Sequence, residues 1–392
     1  MLFDNRLLHL TSQTMIIDLI QMRELQSVEA DKVNLSDFDE IIDVRSPSEY
    51  EEDNLPNALN MPVLNDEERK LVGTAYKQQS PFVARRKGAS IVAHNISKHL
   101  KDHFFNKEKT YSPLIYCWRG GERSKSMATF LNSIGWKTTL LEGGYQAYRK
   151  HIIGELKQKL SDNYNFKIIS GFTGSGKTKL LKYLEANGSQ ILDLEGLASH
   201  KGSALGDDMT SKQPSQKRFE RKILEKLKEF NPSKITYIES ESSRIGSLQI
   251  PAALWTLMKD SPVIEIDVPI IERANFLIKE YKHFIHDQKL LILKLSKVKH
   301  LIPQKLYDQW LNLIRDEKYK DFVLSILENH YDRAYSNSRK KTYTQKTEQT
   351  YQVEKVSKSE FIKLAKNFTS VSYTHLRAHE TSLHLVCRLL LE

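Results

Sequence analysis

The stretch FKIISGFTGSGKTKLLKYLEANG, residues 166–188, decides how the chain is read. A short apolar run, FKIIS, has the length and composition of a buried strand, and KLLKYLEA places apolar residues at helical spacing ahead of an Asn-Gly stop. Between them GFTGSGKT meets G-x-x-x-x-G-K-[ST] at every fixed position. Strand, glycine loop and helix in this order make a phosphate site. Glycines let successive backbone N–H groups converge on phosphate oxygens, and the helix N-terminus adds partial positive charge. The cradle is Gly171, Gly174, Ser175 and Gly176, with Lys177 bridging terminal phosphates. Thr178 is the ligand for a magnesium ion where one takes part.

Downstream, QILDLEG (190–196), KITYIES (234–240) and PVIEIDV (262–268) read as further short strands separated by helical or polar stretches. Lys- and Leu-rich helical patterns follow from residue 270 to about 330. Strands alternating with helices predict an α/β fold with a parallel sheet, here a P-loop NTPase-like domain over 166–369 with an added helical region. Metal-organising or acid/base carboxylates are sought after the strands, at Glu239 and Glu241 in ITYIESES and at Asp193, with Glu195 as its neighbour, in LDLEG. No N-K-x-D guanine-reading motif is present, and a non-nucleotide diphosphate suits the loop equally well.

Upstream, EIIDVRSPSEY (40–50) gives a buried strand over Ile41 to Val44 ending in a polar turn, and PLIYC (113–117) gives another. SKSMATFLNSIG (124–135) is a helix with Gly135 as its stop, and TTLLEGGYQAYRKHIIGELKQKL (138–160) is a strand, a Gly-Gly turn and a long helix. Residues 15–150 thus read as a second α/β domain, 151–165 as a linker helix, and 1–14 as a lead ahead of Met15. Within this domain Cys117 opens C-W-R-G-G-E-R between strand and helix. The N–H groups of such a loop, the helix N-terminus, Arg119 and Arg123 favour a thiolate, making Cys117 a candidate nucleophile. Its C-x5-R spacing followed by Ser124 fits cysteine phosphatases and sulfur or selenium carriers alike.

Composition bounds the rest. The 392 residues, 40% hydrophobic and 28% charged, suit a soluble globular chain of two domains, and a net charge of +10 suits a polyanion partner. Two cysteines cannot build a disulfide framework, and no apolar run is long enough for a membrane helix, so the expected location is cytoplasmic. Arg85, Arg86, Lys87 and residues 339–341 are candidate phosphate contacts. The tail 370–392 breaks in composition from what precedes it. His375, His379 and Cys387 lie within it, yet they match no metal motif, and the tail reads as foreign or disordered.

Taken together, IIDVRSPSEYEEDNLPNALNMPVLNDEERKLVGTAYKQQ, YCWRGGERS, LEGGYQAYR, GFTGSGKT, LDLEGLASHKGSALG and ESESSRIGS, in this order, resemble the bacterial tRNA 2-selenouridine synthases over about residues 36–368. Those enzymes fuse a rhodanese-like domain to a P-loop domain. The resemblance implies that a geranyl group from geranyl diphosphate is placed on the sulfur of wobble 2-thiouridine in tRNA, after which selenium from selenophosphate replaces it. It maps Cys117 to the selenium-handling cysteine, with Arg119 and Arg123 beside it, Asp43 and Arg45 to support of the rhodanese-like domain, and Gly171 to Thr178 to the prenyl step. It implies no tightly bound cofactor, leaves Mg2+ open, and names tRNA and a supply of selenophosphate as partners, with no membrane. The rival readings are a P-loop ATPase or kinase with a regulatory rhodanese module, and a C-x5-R phosphatase.

Overall fold

The computed structural model of the protein describes residues 24–162, 164–200, 212–336 and 347–368. Met15, the basic residues 339–341 and the tail with His375, His379 and Cys387 lie outside the described residues. The chain divides into two compact units, Met1–Glu155 and Leu156–Glu392. The boundary falls inside one helix, Gly144–Lys159, which contains the first part of the expected linker.

The first unit is a parallel sheet of β1 (Gln26–Val28), β2 (Glu40–Asp43), β3 (Leu59–Asn60), β4 (Pro113–Tyr116) and β5 (Thr139–Leu141), in the order β1-β5-β4-β2-β3. Every residue of β4 is buried, as a central strand covered on both faces requires. Ile42, Val44, Ile115, Met127, Leu131 and Trp136 form part of the core. The helix Asp66–Gln78 opens with a capping box, Asn65 accepting from Glu68 N–H while the Glu68 carboxylate accepts from Asn65 N–H. Ser80 caps the next helix, Pro81–His99, whose first residue needs no amide donor. The helix Glu122–Ile134 ends at Gly135, with φ 112°, in the left-handed conformation that a C-terminal glycine supplies.

The second unit carries β6 (Asn165–Ser170), β7 (Gln190–Leu192), β8 (Ile235–Glu239), the short antiparallel pair β9 (Arg244–Ile245) and β10 (Leu248–Gln249), β11 (Val263–Asp267) and β12 (Thr347–Gln352). Its main sheet is parallel in the order β12-β11-β6-β8-β7. The strands expected at residues 166–170, 234–240 and 262–268 are present, whereas of 190–196 only Gln190–Leu192 is strand, because Asp193 caps a helix that begins at Leu194. Five of the described strands were not foreseen, among them the two-residue β3, β9 and β10. β1 is three residues long, and β12, TEQTYQ, is a polar, largely exposed edge strand with no apolar run. Helices Ile270–Glu280, Lys282–His286, Gln288–Ser296, Gln304–Arg315 and Tyr319–Ile326 follow, with a second core around fully buried Trp310.

One contact fixes the first unit's site. Gly144, at φ +56°, lies so close to the cysteine loop that a Cβ there would stand 2.3 Å from the Cys117 carbonyl oxygen and 2.7 Å from Gly120 N. Next to it, Tyr145 N–H donates to that same carbonyl at 2.8 Å and Gln146 N–H to the Trp118 carbonyl at 2.9 Å. Gly144→Ala should therefore destabilise the first unit by about 2 kcal/mol or more, through backbone strain and clash together. Gly121→Ala, where a Cβ meets nothing within 4 Å, should change thermal unfolding little. Equal melting temperatures for the two variants would show that the Gly-Gly turn does not shape the loop.

Candidate active sites

In the first unit the chain leaves β4 at Cys117, which is 3% exposed, and enters the helix Glu122–Ile134 five residues later. Cys117 Sγ accepts from Gly121 N–H at 3.2 Å and from the Ser124 hydroxyl at 3.2 Å. Both donors belong to the start of the helix, so the sulfur sits where the helix leaves amides without intrahelical partners. Trp118 packs on the Tyr145 ring, with centroids 5.4 Å apart. Glu122 is exposed at the start of the same helix.

The two arginines predicted beside Cys117 do different things. Arg119 is exposed and donates from Nε to Gln146 Oε1 at 2.9 Å. Arg123 is turned onto a carboxylate, its Nη1 2.7 Å from Glu49 Oε2 and its Nη2 3.3 Å from Glu49 Oε1. Arg69 joins the same carboxylate at 3.1 Å. Burial works against charge on Glu49, but the bonds from Arg123 and the Ser46 amide, with the charges of Arg123 and Arg69, hold its carboxyl below the usual glutamate range. Glu49 was not foreseen as a site residue. Its signal was the S-x-x-E of SPSE, since Glu49 also closes a capping box with Ser46.

Asp43 and Arg45 form a buried pair behind the loop. Arg45 Nη2 lies 2.6 Å from Asp43 Oδ2 and 2.6 Å from the Asp53 carbonyl, while its guanidinium lies 4.1 Å from the Tyr145 ring centroid. Tyr145 in turn donates to Asp53 Oδ2 at 2.8 Å. This network joins the end of β2 to the helix whose first residues hold the cysteine loop.

In the second unit the glycine loop runs from β6 into the helix Lys177–Ala186. Gly174 and Gly176 are at φ +86° and +76°. A Cβ on Gly176 would stand 2.8 Å from Phe361, and one on Gly171 2.7 Å from the Ile266 carbonyl. Lys177 Nζ donates to the Gly171 carbonyl at 3.0 Å and lies 3.7 Å from Glu239 Oε1. Ser175 Oγ is buried without a hydrogen-bond partner inside the cradle, as an atom meant for a ligand oxygen would be. Two residues far along the chain complete the loop. Tyr335 places its hydroxyl 3.1 Å from Gly171 N, 2.9 Å from Ser170 Oγ and 3.0 Å from Ser240 Oγ. Buried Arg273 donates to the Thr173 carbonyl at 3.1 Å while pairing with Asp332 at 2.8 and 2.9 Å. Neither lies in a motif legible from sequence.

Glu239 and Glu241 converge with Glu195, their carboxylates having oxygens within 4.8 Å of one another. Thr178 Oγ1 donates to Glu239 at 3.0 Å and to Glu195 at 3.3 Å. Asp193 instead caps the short helix Leu194–Ala198 by accepting from Gly196 N–H at 2.8 Å. Burial and then the neighbouring Glu239 push Glu195 up to about 8, and burial with Glu195 and Glu239 pushes Glu241 well above the ordinary range. Burial also raises Glu239, against the pull of Lys177. On Lys177 itself burial opposes the charge, but Glu239, Tyr335, Glu241 and Glu195 together outweigh it and raise the ammonium above its ordinary value. Three crowded carboxyls with Lys177 as the cation beside them fit a divalent cation, which prefers oxygen ligands and relieves their repulsion.

The fold and its two loops define a rhodanese-like unit joined to a phosphate-loop unit. A family model described as a rhodanese-like domain matches residues 26–151, and one described as the tRNA 2-selenouridine synthase AAA domain matches residues 164–298. Among relatives, the tRNA 2-selenouridine synthase of Nitrosomonas europaea is 36% identical over 245 residues, covering 62% of this chain and 63% of its own. That of Shewanella halifaxensis is 38% identical over 255 residues, covering 63% and 67%, and that of Psychromonas ingrahamii 34% over 242 residues, covering 62% and 64%. The chain belongs to the tRNA 2-selenouridine synthase family. It spans a little under two thirds of the length of the Nitrosomonas and Psychromonas relatives. No helix among the described residues is long and apolar enough to cross a membrane.

The carboxylate cluster has a consequence for stability. Between the ordinary glutamate value of 4.5 and about 8 the unfolded chain has released a proton that folded Glu195 still holds. Stability from this group is therefore greatest at low pH and falls as pH rises through that window. The melting temperature of the second unit's transition should drop from about pH 5 to about pH 8. Glu195→Gln should flatten the slope, and millimolar Mg2+ should raise the high-pH end. A slope unchanged in Glu195→Gln would place its origin elsewhere.

Proposed function

We propose that this chain acts on tRNA carrying 2-thiouridine at the wobble position, first geranylating the sulfur and then replacing it with selenium from selenophosphate. The observation that carries the reading is the placement of Cys117 Sγ under the Gly121 amide and the Ser124 hydroxyl at a helix start. Such donors fix the sulfur at a helix start, where backbone amides favour the approach of an anionic selenium donor. The C-x5-R phosphatase reading is disfavoured, because Arg123 is bound to Glu49 and not free to clamp a phosphate over the loop.

In the first step the C1–O bond of geranyl diphosphate breaks, its electron pair leaving with the diphosphate. The thione sulfur forms the new C–S bond, and the proton on ring N3 is lost to solvent. Charge grows on the departing diphosphate, so catalysis needs donors and cations aimed at that group. Lys177, the loop amides and the Ser175 hydroxyl supply them. A divalent cation, where bound by Thr178, Glu195, Glu239 and Glu241, adds charge neutralisation there. In the second step the selenium of selenophosphate forms a bond to C2, and the C2–S bond breaks with its electron pair on geranyl thiolate, a better leaving group than bare sulfide, which takes a proton from solvent. Water then cleaves the Se–P bond, releasing phosphate and returning a proton to ring N3. This step is assigned to Cys117, with Arg119 at the exposed rim and Arg123 and Glu49 fixing the helix start.

Two variants separate the steps. Cys117→Ser should abolish selenouridine while the S-geranyl nucleoside accumulates, as read by mass spectrometry of wobble nucleosides. Lys177→Ala should lower geranylation by about a hundredfold or more, the scale of losing a charge-stabilising group, while pre-geranylated tRNA is still converted. Full selenation by Cys117→Ser, or normal geranylation by Lys177→Ala, would overturn the assignment.

Affinity for tRNA should fall steeply with salt, since a basic protein releases condensed counterions on binding. Arg85 and Arg86 are exposed on the helix Pro81–His99. Replacing both by Ala should reduce the slope of log affinity against log salt by about 1 to 2. An unchanged slope would remove this helix from the tRNA surface.

A further inference from the structure

The second unit contains a cavity that neither loop accounts for. It has a volume of about 100 Å3 and is formed where the helix Ile270–Glu280 meets the helices that follow it. A void of this size is unusual, because protein interiors pack nearly as densely as organic crystals and seldom leave space beyond a water molecule.

We propose that this cavity, lined by Leu277, Tyr281, Phe284, Leu291, Phe322 and Ile326 among others, binds the hydrocarbon chain of a diphosphate ester whose head group rests on Gly171 to Thr178. The proposal rests on the reading that the loop holds an allylic diphosphate, and it locates that substrate's apolar half.

Position is the first argument. Thr173, the third residue of the glycine loop, lines the cavity. Leu277 lines it too, and its side chain stands 3.0 Å from where a Cβ on Gly174 would be, so cavity wall and phosphate cradle are in contact. Tyr331 is next to Asp332, whose carboxylate holds Arg273 against the Thr173 carbonyl. A molecule anchored by its diphosphate would thus have its other end directed among these helices.

Chemistry of the lining is the second. Phe284, Leu291, Phe322 and Ile326 belong to the apolar cluster around Trp310, and they present carbon to the cavity. The Tyr319 hydroxyl accepts from Gln288 Nε2 at 2.8 Å and donates to the Ile285 carbonyl at 3.4 Å. A nucleobase buried here would leave ring nitrogens and an exocyclic amine poorly paired, at a substantial cost. A branched hydrocarbon has no such groups, and each buried carbon adds favourable transfer from water.

Direct binding tests this with three probes on the full chain: inorganic diphosphate, dimethylallyl diphosphate and geranyl diphosphate. Geranyl diphosphate should bind at least about thirtyfold more tightly than the five-carbon ester, a difference of roughly 2 kcal/mol. Ile278→Trp, which projects bulk into the cavity from its wall, should erase that preference while inorganic diphosphate binds within about twofold of wild type, a change of roughly 0.4 kcal/mol. Val323→Phe, a smaller intrusion from the opposite helix, repeats the test should the first variant fold poorly. Equal affinity of the wild type for the two esters, or an undiminished preference in both folded variants, overturns the proposal. A parallel transfer assay on 2-thiouridine tRNA keeps the two readings apart. Transfer without chain-length preference removes the cavity and leaves the function, whereas preferential binding without transfer leaves the cavity and removes the function.

Discussion

A strand at the centre of a parallel sheet that stops and turns at once into a helix leaves a row of amides with no carbonyl to meet. Both units are organised around this constraint. After β4 the chain answers it with Cys117, whose sulfur accepts from Gly121 and from Ser124. After β6 it answers with glycines that leave the cradle for an outside acceptor, helped by Lys177 and the buried Ser175 hydroxyl. The same backbone arrangement is used once to hold a side-chain sulfur and once to leave a glycine cradle beside a lysine. What differs is whether a sulfur or a string of glycines follows the strand.

Supporting contacts follow from keeping these turns in place. In the first unit the Gly-Gly turn is pressed against the Cys117 carbonyl, and the Asp43–Arg45–Asp53–Tyr145 network holds the helix that carries it. Arg45 is fully buried, so the ring of Tyr145 and the Asp43 carboxylate replace the water it has lost. In the second unit Arg273 and Tyr335 do the comparable work on Thr173 and Gly171. The carboxyls of Glu195, Glu239 and Glu241 are tolerated at one place because burial favours their protonated forms and because Lys177 and Thr178 stand beside them.

The sequence made the loops legible and left their partners hidden, for a physical reason. A glycine loop or a cysteine loop is local, so spacing alone reveals it. The partner of Arg123 is 74 residues away at Glu49, and the hydroxyl over Gly171 comes from 164 residues downstream. Asp193 and Glu195 looked alike as candidates, yet helix capping takes the first and the carboxylate cluster takes the second. Apolar strands were found by composition, whereas β12 was missed because a polar edge strand is defined by its neighbour β11 and not by its own residues. The cavity was equally out of reach. Leu- and Lys-rich helices announce a core but do not reveal that the core is left partly unfilled.

Tyr335, Phe361 and β12 also set the order in which the second unit can mature. Gly171 to Thr178 emerge early in synthesis, but their clamp and packing partners come from the last part of the described chain. Until those residues have left the ribosome, the glycine loop has neither its hydroxyl clamp nor the aromatic face under Gly176, and β11 remains an open edge. Because domains fold as units and long-range pairing is slow, the nascent second unit passes through an interval with an unfinished phosphate site and an exposed sheet edge. The first unit has by then been made in full, so Cys117 gains its hydrogen-bonded setting before the phosphate loop gains its own.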